Sequence, residues 1–333
     1  MSRLFSRASR GSSSVPSPAS SGLLPVLALV GAVLLWGGSF STMKIAVGAF
    51  GPMSVMWLRM VIALVLLLPF AKKLWPRGAR PGDWKLLAAM SALLPCAYFM
   101  FEANALRFTT SAQAGVVSSS VPVLVAVGAA LFLGEPLTRR AVAGLVLSVA
   151  GVAGLSLAGA PGVAAPAPLL GNMLEFLAMV SAAGSMLLVK KLCGRYGPWT
   201  LTALQTLAGS LFFLPGATEL PRAMPWDWPA VPALCVLFLG SFVTLGAFGL
   251  YNWGMSRLSA GRASAFINLV PLVAVAGGWL WLGEALAPAQ AASAALVLCG
   301  VIYGQTAPRR GPEKEYADGT SGDEAPRPQE SEA

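Results

Sequence analysis

The stretch VPVLVAVGAALFLGEPL, Val121 to Leu137, returns 149 positions later as VPLVAVAGGWLWLGEAL, Val270 to Leu286, with eight of seventeen aligned positions identical. Val, Pro, Gly, Leu, Leu, Gly, Glu and Leu keep their places, and each apolar run ends in Gly-Glu. A chain carries such a segment twice when the unit that contains it occurs twice, so the fold depends on finding that unit.

Composition supplies the solvent. The 333 residues are 56% hydrophobic and 11% charged, with a mean hydropathy of +0.69. A water-soluble globule keeps roughly a quarter of its residues charged, so this is a membrane protein. Apolar runs of about 20 residues, the length that crosses roughly 30 Å of hydrocarbon as a helix, occur at 23–47, 52–71, 85–106, 110–133, 139–159, 169–190, 198–215, 229–252, 262–283 and 287–305. The expected fold class is all-α, with ten transmembrane helices. A barrel would show alternating segments of about ten residues instead.

The net charge of +9 finds its explanation in orientation. With the N-terminus in the cytoplasm, 19 of the 23 Lys and Arg lie on that side, whereas the outer loops keep only Arg107 and Arg222. This is the positive-inside bias. It predicts an inner-membrane, multi-pass protein with both termini cytoplasmic and no nucleic-acid partner. Residues 1–22 read as a flexible tail rather than a signal peptide, because the following apolar run is too long for an h-region. Residues 306–333 turn polar and read as a disordered tail.

The matching segments fall in the fourth and ninth spans, so the repeat is five helices long: 23–159, an external linker 160–168, then 169–305. An odd number of crossings inverts the second copy. GEPLTRR, with two arginines, falls inside; its partner GEALAPAQ, with none, falls outside. Inverted repeats let one fold adopt two related conformations, one open to each side. Pro122 and Pro271 deprive the carbonyls of Ser118 and Ile267 of helical partners near mid-membrane, as functional breaks or as packing kinks. Gly134 and Gly283 suit left-handed helix ends, and Glu135 and Glu284 precede the positive N-terminus of the following helix, a structural role. Gly128 and Gly277 suit close helix packing.

LLWGGSFSTMKIA, PMSVMWLRMVIA, ALRFTTSAQAGVVSSSVPVLVAVGAALFLGEPLT and MSRLSAGRASAFINLVPLVAVAGGWLWLGEAL together resemble the EamA-like branch of the drug/metabolite transporter superfamily. The resemblance runs from residue 23 to 305. It implies a permease with a central cavity between its halves, usually exporting amino acids or other small metabolites.

Four intramembrane ionisable residues are candidates: Lys44, Arg59, Glu102 and Glu175. Each costs about 2.5–3.5 kcal/mol at the bilayer centre on insertion scales. All four are expected around one external vestibule, with Arg59–Glu175 and Lys44–Glu102 pairs as the structural alternative. With no histidine in the chain, Glu102 and Glu175 are the candidates for proton coupling. Trp36, Ser39, Tyr98, Asn104, Ser119, Tyr251, Asn252 and Asn268, with Glu102, are the candidate substrate contacts. Aromatics, amides, a carboxylate and a cation suit a zwitterion with an apolar side chain.

The absence of histidine excludes a Ser-His-Asp triad, and Cys96, Cys193, Cys235 and Cys299 lack paired metal-ligand spacing. No cofactor, no metal and no catalytic residue is expected. A membrane-embedded enzyme finds little support, because the cytoplasmic loops carry only Asp83 and Glu135 as acids. A channel-like or lipid-translocating protein of the same superfamily stays open, as does a homodimer. The expected partners are a small-molecule substrate and the lipid bilayer.

Overall fold

The computed structural model describes residues 23–74, 76, 80, 82–133, 139–158, 162, 165–192, 195–220, 227–247, 249–251, 266 and 269–305. Asn252, Asn268, Ile267, Gly134 and Glu135 lie outside the described residues. Helices account for nearly all of what is described, without a β-strand among the described residues. They are α1 (Leu23–Phe50), α2 (Pro52–Leu67), α3 (Asp83–Ser91), α4 (Tyr98–Phe108), α5 (Ser111–Ser118), α6 (Val121–Leu133), α7 (Arg139–Leu157), α8 (Pro168–Leu192), α9 (Pro198–Phe212), α10 (Ala230–Phe238), α11 (Val270–Leu282) and α12 (Pro288–Gln305).

Among the described residues, six helical stretches are long and apolar enough to cross a membrane. Val142–Leu157, Val270–Leu282 and Pro288–Gly304 are shorter apolar helices. Hydropathy leads to an expectation of ten crossings; the described helices differ in length, and three of the longer stretches, in the third, fourth and eighth spans, are interrupted. The third runs from α3 through a widened segment, Ala92–Ala97, into α4; Leu94 leaves helical geometry there (φ −138°, ψ 118°), and Pro95 has no N–H to give. The fourth divides at Ser119–Ser120 into α5 and α6, with Pro122 in the first turn of α6 rather than inside a bent helix. The eighth widens over Leu239–Ala247.

Burial follows packing rather than polarity. The first half of α1 is apolar all round: it buries Leu29, Ala32 and Val33 and exposes Leu24, Leu27 and Leu34. Trp279, Leu280 and Trp281 on α11 and Leu131 and Phe132 on α6 also face outward, as lipid-facing residues do. The halves interlock: α4 packs on α8, α1 on α11, α5 on α11, α2 on α9 and α7 on α12. Glycines allow the last of these. A Cβ on Gly151 would stand 2.8 Å from the Val297 nitrogen, and one on Gly300 2.8 Å from the Gly144 carbonyl, so the α7 and α12 backbones touch.

Candidate functional site

The bundle interior holds one polar cluster built by both halves. Tyr98 and Glu102 lie one turn apart on α4, and the tyrosine hydroxyl donates to Glu102 Oε1 at 2.6 Å. α8, which packs on α4, carries Glu175, fully buried. From α2, Arg59 donates through Nε to Thr244 Oγ1 at 2.9 Å, and its guanidinium carbon lies 4.4 Å from the centre of the Phe99 ring. Glu102 Oε2 and both Glu175 oxygens have no hydrogen-bond partner although they are buried. An unpaired carboxylate is costly in hydrocarbon, so this is a place that can hold a proton or a cationic group.

A second pair stands beside it. Trp36 on α1 and Tyr251 place their ring centroids 5.1 Å apart, between the first and eighth spans. Trp36 and Tyr98 pack against the same buried core. Other candidates are turned to local uses: Ser39 Oγ donates to the Trp36 carbonyl at 2.6 Å, Asn104 Nδ2 to the Met100 carbonyl at 2.7 Å and Ser119 Oγ to the Val116 carbonyl at 2.7 Å. Helical Ser and Asn often satisfy themselves on the preceding turn in this way.

Lys44 does not join the interior cluster, and neither expected ion pair forms. Its ammonium pairs with Glu284 Oε1 at 3.0 Å instead of Glu102, and donates to the Thr109 carbonyl at 2.6 Å. Arg59 contacts Thr244 and Phe99 instead of Glu175.

Glu284 also corrects an expectation. It caps a helix N-terminus, but that of α5 and not of the following helix. Its Oε1 accepts from the Ser111 nitrogen at 3.2 Å; its Oε2 accepts from Ser111 Oγ at 2.7 Å and the Ala112 nitrogen at 3.2 Å. Two glycines make this so. Gly283 takes the left-handed conformation (φ 64°) and turns the chain back, while a Cβ on Gly278 would stand 2.6 Å from Glu284 Oε2. The start of α12 is served by its own Gln290, which accepts from the Ala287 nitrogen at 2.9 Å.

Next to this cap lies a buried polar network absent from the sequence reading. Thr109 Oγ1 donates to Asn172 Oδ1 at 2.7 Å, and Asn172 Nδ2 donates to Gln113 Oε1 and Ser156 Oγ, each at 3.0 Å. Gln205 is another omission: its Nε2 donates to the Leu94 carbonyl at 2.8 Å, inside the broken third span. Its signal was available, because PMSVMWLR ending at Arg59 and PWTLTALQ ending at Gln205 stand 146 positions apart and share Pro and Leu.

The EamA-like transporter family matches this chain twice, at residues 23–157 and 169–303. An uncharacterized transporter of Archaeoglobus fulgidus is 29% identical over 83% of this chain and 96% of its own length. A probable terminal-alkyne amino-acid exporter of Streptantibioticus cattleyicolor is 28% identical over 83% of this chain and 92% of its own. A crystal structure shares the fold with a TM-score of 0.54 at 21% identity, covering 84% of this chain and 95% of that one. With its helices duplicated, interlocked and apolar toward lipid, the chain belongs to the EamA-like transporter family.

Proposed function

We propose that this transporter is an inner-membrane permease that exports a small zwitterion with an apolar side chain, an amino acid or a related compound, by alternating access. Glu102 and Glu175 serve as the groups that bind the substrate amine or a coupling proton. The observation that carries this reading is the pair of buried carboxyls with three unpartnered oxygens between them, Glu102 held by the Tyr98 hydroxyl on α4 and Glu175 on α8, the helix of the other half that packs on α4. The aromatic pair Trp36 and Tyr251 supplies an apolar wall. The name of the Streptantibioticus relative, an amino-acid exporter, agrees in substrate class.

The test is transport per folded molecule in proteoliposomes, with labelled L-leucine and L-propargylglycine as probes and with or without an imposed pH gradient. Wild-type protein should show saturable uptake and counterflow. Glu102→Gln and Glu175→Gln preserve shape and should reduce transport at least tenfold. Normal transport with a normal pH response in both variants would sink the assignment. Unsaturable flux would favour a channel, and flipping of a fluorescent lipid in place of amino-acid counterflow would favour lipid translocation.

The proposed topology puts both termini in the cytoplasm, supported by the 19 of 23 basic residues on that side. Reporter fusions after Arg195 should read cytoplasmic and those after Ala165 external. A cytoplasmic Ala165 would overturn the inversion of the second repeat.

A further inference from the structure

The third and eighth spans are both interrupted, at Ala92–Ala97 and at Leu239–Ala247. These spans are counterparts in the two five-helix repeats. Each interruption receives a side chain from the opposite repeat. Gln205 on α9 donates to the Leu94 carbonyl at 2.8 Å. Arg59 on α2 donates to Thr244 Oγ1 at 2.9 Å, and that hydroxyl donates to the Leu239 carbonyl, five residues back, at 2.8 Å. Arg59 and Gln205 close the equivalent stretches PMSVMWLR and PWTLTALQ. They are the same position of the repeat, reaching across to the same feature of the other copy.

The surrounding packing holds each break against its clamp. A Cβ on Gly209, one turn after Gln205, would stand 2.7 Å from Pro95 Cγ. A Cβ on Gly240, at the start of the eighth-span break, would stand 2.7 Å from Ile62 Cβ, in the turn after Arg59. Ser185 Oγ on α8 donates to the Met90 carbonyl at 3.1 Å, just ahead of the break, and lies 3.4 Å from Gln205 Nε2. The non-helical geometry at Leu94 turns its carbonyl out of the helical ladder, and the amide of Gln205 meets it. The turns that follow carry Tyr98, Phe99 and Glu102.

We propose that Gln205 is a positioning residue of the transport site: by holding the Leu94 carbonyl it fixes how the second half of the third span leaves its break, and so where Tyr98 and Glu102 stand. Arg59 does the same for the eighth span. This rests on the reading of Glu102 as a transport carboxyl. It also accounts for the difference between the two copies. Arg59 clamps and supplies the interior cation beside Phe99, whereas the neutral Gln205 clamps without adding a second charge.

The break carries its own reporter, Cys96, which is buried. Full-length protein would be treated with N-ethylmaleimide, and modification of the Cys96 peptide followed by mass spectrometry. Gln205→Met keeps the length of the side chain and loses the donor; Gln205→Arg keeps a donor, as its counterpart does. Cys96 should react at least tenfold faster in Gln205→Met and near the wild-type rate in Gln205→Arg. An unchanged rate in folded Gln205→Met would overturn the clamp, as would a failure of Gln205→Arg to restore protection.

L-Leucine binding then tests the positioning. Gln205→Met should weaken binding about tenfold in the wild-type background and have no further effect on Glu102→Gln, as expected when one residue acts through the other. Equal losses in both backgrounds would overturn the positioning role. If Glu102→Gln alone leaves leucine binding intact, the reading of Glu102 falls, while the Cys96 rates still decide the clamp.

Discussion

Among the described residues an ion pair between the two repeats ties each end of the bundle, and the two ties are built differently. At one end Lys44 pairs with Glu284, whose side chain is 1% exposed and also takes three hydrogen bonds from the start of α5. At the other, Asp83 pairs with Arg195, whose side chain is 39% exposed. The first tie is dry and continuous with the Thr109, Gln113, Asn172 and Ser156 network. In the second the Asp83 side chain is also buried, at 5%, and it is the cation that water reaches, 39% for Arg195 against 17% for Lys44. Under the alternating access proposed above each end would open in turn, and the two openings would then meet different barriers. Opening the Glu284 end must rehydrate a buried carboxylate and a helix N-terminus. Opening the Asp83 end would also uncover a buried carboxylate, but its cation already stands partly in water.

The largest effect should come from Glu284→Ala. Removing one partner of a buried ion pair costs about 3–5 kcal/mol, here with the Ser111 and Ala112 N–H groups also left without their acceptor. Thermal unfolding in detergent should fall by the corresponding amount, and deuterium exchange at Ser111 and Ala112 should quicken at least tenfold. Glu284→Gln keeps an acceptor and should lie between. Lys44→Ala should cost less than Glu284→Ala, because Glu284 retains its three donors. Equal losses from Lys44→Ala and Glu284→Ala would show that the ion pair, not the helix cap, holds this end.

Gly278→Ala tests the same end without touching a charge. Its methyl would stand 2.6 Å from Glu284 Oε2 and overlap the seat of the carboxylate. Overpacking of this kind costs about 1–3 kcal/mol, and the exchange rates at Ser111 and Ala112 should rise in step. If stability falls with those two amides still protected, the strain is relieved elsewhere and Gly278 is not what seats Glu284. Asn172→Ala should have a similar or smaller effect. It removes three hydrogen bonds but leaves Gln113 Oε1 accepting from Thr109 Oγ1 at 3.1 Å and Ser156 Oγ donating to the Val152 carbonyl at 2.8 Å, so each lost bond counts only its net contribution of about 0.5–1.5 kcal/mol, and the Lys44 contact should not be disturbed.

How much of this was legible depends on the range of the interaction. The repeat could be read because its signal is periodic: Val121 to Leu137 against Val270 to Leu286 needs no knowledge of packing. The cluster of Tyr98 and Glu102 was half legible, since residues four apart share a helix face, but the arrival of Glu175 from α8 was not. Glu284 looked like a helix-end residue and is one, yet for a helix 173 positions away from it at Ser111. Nothing local points there. The destination depends on Gly278 leaving a gap, a property of the folded chain alone. Asn104 was not legible either, because an amide in an apolar span suggests a distant partner, whereas its Nδ2 donates to the Met100 carbonyl one turn back.

The smallest effect belongs to the Asp83 end. Arg195→Ala removes a charge that is well exposed, and exposed ion pairs contribute about 0.2–1 kcal/mol. Asp83 keeps two other donors, the Tyr196 hydroxyl at 2.8 Å and the Arg80 nitrogen at 3.3 Å. Burial, and then the hydrogen bond to Asp83, raise the Tyr196 hydroxyl above the usual phenol range, so it stays protonated and donating at neutral pH. Arg195→Ala should therefore lower stability slightly, and added salt, which screens exposed pairs, should erase even that difference. Tyr196→Phe should cost more than Arg195→Ala, because it removes the buried donor and salt does not screen it. Both variants would be followed by thermal unfolding at low and high salt beside Glu284→Ala. If Arg195→Ala costs as much as Glu284→Ala, the two ends are tied equally tightly and the difference in burial does not set their barriers. If it costs little but makes the transport rate insensitive to salt, this end opens first and its exposed pair sets the ease of opening.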